Sequence, residues 1–78
     1  MGEVNIVVDV MGAGWVMIHA VMPTEFQRQV EFERIPHLIN QTFVTWMRQN
    51  PGIGIFATQG IVEDGYTIAL HVWFGAAK

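Results

Sequence analysis

The segment Pro36–Asn50, P-H-L-I-N-Q-T-F-V-T-W-M-R-Q-N, is the one part of the chain whose hydrophobic spacing predicts a helix. The residues of one helical face recur at three- and four-residue intervals: Leu38, Ile39, Thr42, Phe43, Trp46 and Met47. Pro36 suits a first helical turn, and Asn50-Pro51-Gly52 ends the helix because a residue before proline avoids the α conformation. We therefore expect a helix over Pro36–Asn50 whose start has no capping side chain.

Two strands are predicted after this helix. Ile53–Glu63 and Tyr66–Phe74 flank Asp64-Gly65, the dipeptide typical of a two-residue type I′ hairpin. An unbroken hairpin would place Val62 opposite Thr67, Gly60 opposite Ala69, Thr58 opposite His71 and Phe56 opposite Trp73. The alternate positions form a largely apolar set that the helix should cover: Ile55, Ala57, Gln59, Ile61, Ile68, Leu70, Val72 and Phe74.

Two more strands are predicted at the amino-terminal end, joined through Gly12-Ala13-Gly14. A three-residue loop gives one wholly apolar face, formed by Val4, Ile6, Val8, Val10, Val16, Ile18, Ala20 and Met22. The other face then carries Asn5, Val7, Asp9, Met11, Trp15, Met17, His19 and Val21. A two-residue loop would bring Asp9 onto the apolar side, so the longer loop is preferred.

The segment Phe26–Arg34 has two interpretations. Val30 and Phe32 alternate with charged and polar residues, which favours an edge strand protected from further pairing by its charges. The alternative is a short helix capped by Thr24, in which Phe26 and Val30 lie four residues apart.

With the strand interpretation, the chain is an α+β domain spanning 1–78, with a βββαββ order and one helix on one face of a small antiparallel sheet. We call the side of the sheet away from the helix the second face. Of the 78 residues, 51% are hydrophobic and only 14% are charged, which leaves too little polar surface to cover a monomer of this size. We therefore expect another subunit to cover the second face, most simply in a homodimer.

The composition also argues against several classes of protein. A net charge of −3 with scattered basic residues disfavours nucleic-acid binding. The longest apolar run, Met11–Met22, is interrupted by His19 and is too short to span a membrane. The chain has no cysteine and no serine, no basic leader and no glycine-rich phosphate loop before a helix. We therefore expect a cytoplasmic protein without a cofactor, and neither nucleic acid nor a membrane as its partner.

Candidate binding residues concentrate on the second face. They are Asp9, Trp15, His19, Thr58, His71 and Trp73. Asp9 should lie diagonal to His19 on the paired strands, close enough for the two polar groups to satisfy each other. Tryptophans on such a face are typical interface anchors. Two histidines and one carboxylate also match a metal site by residue type, but their spacing across separate strands forms no metal-ligand motif.

These features support three functional hypotheses. The first is a non-enzymatic homo-oligomer that self-associates through the second face, with a small apolar or aromatic ligand as a further occupant. The second is a small isomerase or hydrolase that uses Asp9 with His19 or His71 as acid and base in a pocket between subunits. The third is a subunit of a larger hetero-assembly. The sequence alone does not identify a reaction, so the first hypothesis is preferred.

Overall fold

The computed structural model describes residues 4–21 and 33–76. In chain order, these residues form β1 (Asn5–Gly12), β2 (Trp15–Val21), the helix α1 (Ile35–Gln49), β3 (Ile53–Glu63) and β4 (Tyr66–Ala76). The four strands form one antiparallel sheet in the order β1-β2-β4-β3, so the two hairpins meet through β2 and β4. The predicted α+β class with an antiparallel sheet and one packed helix is confirmed.

The helix matches its predicted range to within one residue at each end. Pro36 occupies its first turn, and no side chain caps its amino terminus, as the sequence predicts. At the other end, the Asn50 side-chain amide donates to the carbonyl of Trp46 at 2.8 Å, and the backbone N–H of Asn50 donates to Met47 at 3.1 Å. These bonds satisfy carbonyls that would otherwise lack a partner where Pro51 stops the helix.

The core lies between α1 and the side of the sheet that faces the helix. Ile18, Ile35 and Val72 are completely buried, and Val16 and Ile39 are nearly so. The apolar sets predicted for this side pack around them: Val4, which precedes β1, Ile6 and Val8 from β1, and Ile68, Leu70 and Phe74 from β4. Trp46 meets Phe74 edge-on at 5.0 Å between ring centroids. The helix packs on β4, β2 and β1, and this packing confirms the predicted covered face for these strands.

The amino-terminal hairpin has the predicted register. Asp9 lies opposite Met17 and Val10 opposite Val16. The turn is tighter than predicted, because Gly12 pairs with Trp15 and the extra residue, Met11, is accommodated as a bulge. The bulge lets a shorter turn keep the alternation that a three-residue loop was expected to provide.

The carboxy-terminal hairpin departs from its predicted register. Both Asp64 and Gly65 have positive φ, as a type I′ turn requires, and Val62 lies opposite Thr67 as expected. Beyond this point an extra residue on β4, Ile68, shifts the pairing by one position. The predicted pairs Gly60–Ala69, Thr58–His71 and Phe56–Trp73 are therefore wrong. The observed pairs are Gly60–Leu70, Thr58–Val72, Gln59–His71, Ile61–Ala69 and Ala57–Trp73.

This shift changes which side of β3 faces the helix. Residues directly opposite each other share a face, so Ala57 and Gln59 lie on the second face with Trp73 and His71. Their predicted place under the helix, and that of Ile61, is wrong. A second irregularity at Phe56 restores the original alternation, and Ile55 lies opposite Phe74.

The predicted segment Phe26–Arg34, whether strand or Thr24-capped helix, lies outside the described residues except for its last two positions. Glu33 and Arg34 form a turn that leads into α1. The described residues thus have a ββαββ order, and the additional strand stays a prediction.

Candidate functional site

The centre of the second face is a row of residues that runs across all four strands. Asp9 on β1 lies opposite Met17 on β2, Met17 lies opposite His71 on β4, and His71 lies opposite Gln59 on β3. A neighbouring row contains Trp15 opposite Trp73. The sheet thereby brings together five of the six predicted site residues, which come from three different strands.

Trp15, His71 and Trp73 form what we call the aromatic cluster. Their ring centroids are 5.6 to 5.7 Å apart, and the two indole planes are inclined by only 17°. The indole N–H of Trp15 donates to Nδ1 of His71 at 3.0 Å. Because an indole nitrogen can only donate, Nδ1 must be unprotonated, and the imidazole is the neutral tautomer with its proton on Nε2. The cluster is partly buried and joins β2 to β4.

Asp9 and His19 form a second polar contact on this face. The Oδ2 atom of Asp9 lies 2.5 Å from Nε2 of His19, which donates its proton to the carboxylate. The side chains are 50% and 23% exposed, respectively, so solvent reaches both partners. The predicted mutual satisfaction of this diagonal pair is confirmed. The pair joins β1 to β2 and places one half-exposed carboxylate on the second face.

Thr58 is the predicted site residue that the structure does not bring to the second face. It lies opposite Val72, whose side chain is completely buried beneath the helix, so Thr58 belongs to the helix side of the sheet. Gln59 occupies the position across from His71 instead. The sequence contains no local signal for this exchange, because it follows from the extra residue at Ile68 on the neighbouring strand.

The geometry limits the chemistry of the two histidines. His71 uses Nδ1 to accept from Trp15, and His19 uses Nε2 to bind Asp9, so each imidazole has one nitrogen occupied by a protein partner. Within residues 4–21 and 33–76, no group of three or more His, Asp or Glu side chains could hold a metal ion. The remaining nitrogens, Nδ1 of His19 and Nε2 of His71, are those with which a ligand or partner could bond.

Large apolar side chains are exposed mainly on the two outer strands. On β1 these are Val10 and Met11, and on β3 they are Ile55, Phe56, Ile61 and Val62, with Phe56 72% and Val62 62% exposed. Val21 at the end of β2 is also exposed. In contrast, a shallow depression on the outward side of α1 has a mixed polar lining of Asn40, Gln41, Val44, Thr45 and Arg48. The apolar surface available for contact is therefore on the sheet.

Two further findings concern the chain as a whole. In the part of the chain that the structure describes, the helix is neither long enough nor apolar enough to cross a membrane. Comparison of the sequence and structure with protein-family models, with curated proteins and with solved structures gives no match.

Proposed function

We propose that this protein is a non-enzymatic binding domain that self-associates through its second face. The observation that carries the proposal is the position of the aromatic cluster. Two tryptophans and a histidine stand together on the side of the sheet opposite α1. Tryptophan is among the residues most enriched at the energetic centres of interfaces, and an uncovered apolar sheet face is costly in water.

The polar groups of the second face suit an interface that has a polar margin. Asp9 and His19 satisfy each other at 2.5 Å, so covering the face would not leave either group without a partner. The N–H on Nε2 of His71 remains as a directional donor beside Trp73. A carbonyl of the second subunit would accept from it. A small aromatic ligand carrying an acceptor would use the same donor and would stack on Trp73.

The contacts favour this binding role over acid–base catalysis. A general base needs a ring nitrogen within reach of the substrate proton, and a catalytic dyad orients that nitrogen towards a nucleophile or substrate. Here Nδ1 of His71 accepts from Trp15, so the free nitrogen of this imidazole carries a proton and cannot act as a base. Nδ1 of His19 is free, but the chain has no serine or cysteine nucleophile for it to activate. Association with a different protein would use the same face, and the oligomeric state of the pure chain distinguishes that role from self-association.

Analytical ultracentrifugation of the wild type and of Met17→Lys tests the proposal. Met17 lies on an interior strand at the centre of the second face, opposite Asp9 and His71, where a lysine has a carboxylate neighbour within the monomer. In an assembly, two lysines would be brought together and desolvated, at a cost of several kcal/mol. We expect the wild type to be oligomeric at micromolar concentration and Met17→Lys to have half its molar mass.

The matched control is Thr45→Lys, which adds the same charge at an exposed position on the outer side of α1. It should keep the wild-type mass, and circular dichroism should show that both variants remain folded. A monomeric wild type, or a Met17→Lys variant with unchanged mass, would contradict self-association through the second face.

A further inference from the structure

The two outer strands of the described sheet, β1 and β3, differ in the residues that hinder pairing with another chain. β1 carries Asp9, whose carboxylate is half exposed, together with Asn5. β3 has no charged side chain and no proline from Ile53 to Val62. Native edge strands usually carry lysine, other charges or proline, because an edge exposes a row of unpaired backbone groups. β3 has no lysine, no proline and no charge before its last residue, Glu63, although it is the longer strand.

The backbone of β3 has a defined outward set of hydrogen-bonding groups. Glu63 pairs with Tyr66 across the two-residue turn, so its N–H and C=O are directed to β4. In an antiparallel strand the direction alternates with each residue, and β3 has no extra residue between Ala57 and Glu63. Thr58, Gly60 and Val62 therefore direct their N–H and C=O groups away from β4, towards the outer edge.

We propose that this outer edge is a self-pairing interface, at which β3 joins antiparallel to β3 of a second copy around a twofold axis. The central outward residue, Gly60, would lie opposite its own equivalent, and Thr58 would lie opposite Val62 of the partner subunit. The regular part of the strand, Ala57–Glu63, lies between the irregularities at Phe56 and Ile68. Pairing extends the four-stranded sheet to a continuous sheet of eight strands.

The composition of the edge selects a second copy as its occupant. A twofold axis places each residue near its own equivalent, so like charges on the strand would repel. The strand carries no charge from Ile53 to Val62, and its outward residues are β-branched or glycine. Each outward pair exchanges two bonds, so the three pairs give about six inter-chain hydrogen bonds, within the roughly 5 to 15 of a typical protein interface.

This edge and the second face are separate surfaces, so the inference goes beyond the proposed function and either can fail alone. If both interfaces form, two perpendicular twofold axes produce a tetramer of about 35 kDa from chains of 8.8 kDa. If β3 pairing is lost, a dimer joined through the second face remains. If association through the second face is lost, a dimer joined by β3 pairing remains. The two failures therefore give different assemblies.

The test compares Thr58→Pro with Thr58→Val. Proline removes the outward N–H and places its ring at the edge, whereas the N–H groups that point to β4 are unaffected. Valine has nearly the shape of threonine and keeps the N–H. Thr58 is exposed and lies on the helix side of the sheet, so neither change alters the second face. We expect Thr58→Pro to weaken association at least ~10-fold and to halve the sedimenting mass, and Thr58→Val to behave as the wild type.

Amide hydrogen exchange of the wild type provides a second measurement that needs no variant. The amides of Thr58, Gly60 and Val62 should be protected at high protein concentration and should exchange faster after dilution into the monomer range. Unprotected amides at these three positions in the concentrated protein would overturn the proposal. Equal sedimenting masses for Thr58→Pro and Thr58→Val, with both variants folded, would also overturn it.

Discussion

Trp15 and His71 lie 56 positions apart in the sequence and are joined by a hydrogen bond of 3.0 Å between Nε1 and Nδ1. This bond connects β2 of the first hairpin to β4 of the second. Its direction also fixes the protonation state of the imidazole, since the bond exists only while Nδ1 is an acceptor. The pair therefore contributes both to the junction between the hairpins and to the polarity of the second face.

The first prediction concerns the energy of this bond. A double-mutant cycle of Trp15→Phe and His71→Phe keeps an aromatic ring at both positions and removes the hydrogen bond. We expect a coupling free energy of about 0.5 to 1.5 kcal/mol, measured by urea unfolding at one fixed protein concentration. The matched cycle of Trp73→Phe and His71→Phe probes rings 5.7 Å apart that are stacked. Equal coupling in both cycles would contradict a specific role for the Trp15 bond.

The second prediction concerns Asp9 and His19. Because solvent reaches both side chains, a cycle of Asp9→Ala and His19→Ala should give a coupling of only about 0.2 to 1 kcal/mol. The coupling should fall in about 1 M salt, where charges are screened beyond about 3 Å. The Trp15–His71 coupling serves as the control, since it joins neutral groups and should not respond to salt. A salt-independent Asp9–His19 coupling above about 2 kcal/mol would contradict an exposed pair.

Local chemistry was sufficient to predict the helix, the Asp64-Gly65 turn and the covered face of β1 and β2. Each depends on residues close in the sequence, such as Pro36 and Pro51 for the helix and Asp64-Gly65 for the turn. The Asp9–His19 contact followed from the same reasoning, because their hairpin fixes its own register. These features could be predicted because short-range constraints alone determine them.

The remaining features depend on contacts between distant segments. The extra residue at Ile68 moves Gln59 to the position expected for Thr58, yet nothing in the neighbouring residue types signals a bulge there. The bond between Trp15 and His71 requires β2 to pair with β4, and hairpin patterns do not specify which strands of two hairpins meet. The candidate site could thus be predicted as a group of residues on one face but not as a set of contacts.

The third prediction concerns the core beneath the helix. Ile18 is completely buried between β2 and α1, so Ile18→Ala should lower the free energy of unfolding by about 2 to 5 kcal/mol through lost apolar contact and a residual cavity. Val10 is 79% exposed near the end of β1, so Val10→Ala should change the free energy of unfolding by less than about 0.5 kcal/mol. Urea unfolding at matched protein concentration compares the two. A similar loss for both would contradict the position of the core.

The fourth prediction separates backbone strain from steric contact at three glycines. Gly52 has open space around its Cβ position and no positive φ, so Gly52→Ala should be nearly neutral. Gly65 has φ of +83° with open space, so Gly65→Ala should cost about 1 kcal/mol from strain alone. Gly14 has φ of +70°, and a Cβ there would lie 2.6 Å from the carbonyl oxygen of Phe74.

Gly14→Ala should therefore be the most destabilising of the three, because it adds a clash with backbone to the same strain. The clash also falls where the Phe74 N–H donates to the Gly14 carbonyl at 2.9 Å, a bond between the first turn and β4. Thermal unfolding of the three alanine variants should rank them Gly52, Gly65 and Gly14 in increasing loss of stability. Equal losses at Gly65 and Gly14 would mean that the amino-terminal turn does not pack closely on β4, which would remove one of the contacts that hold the two hairpins together.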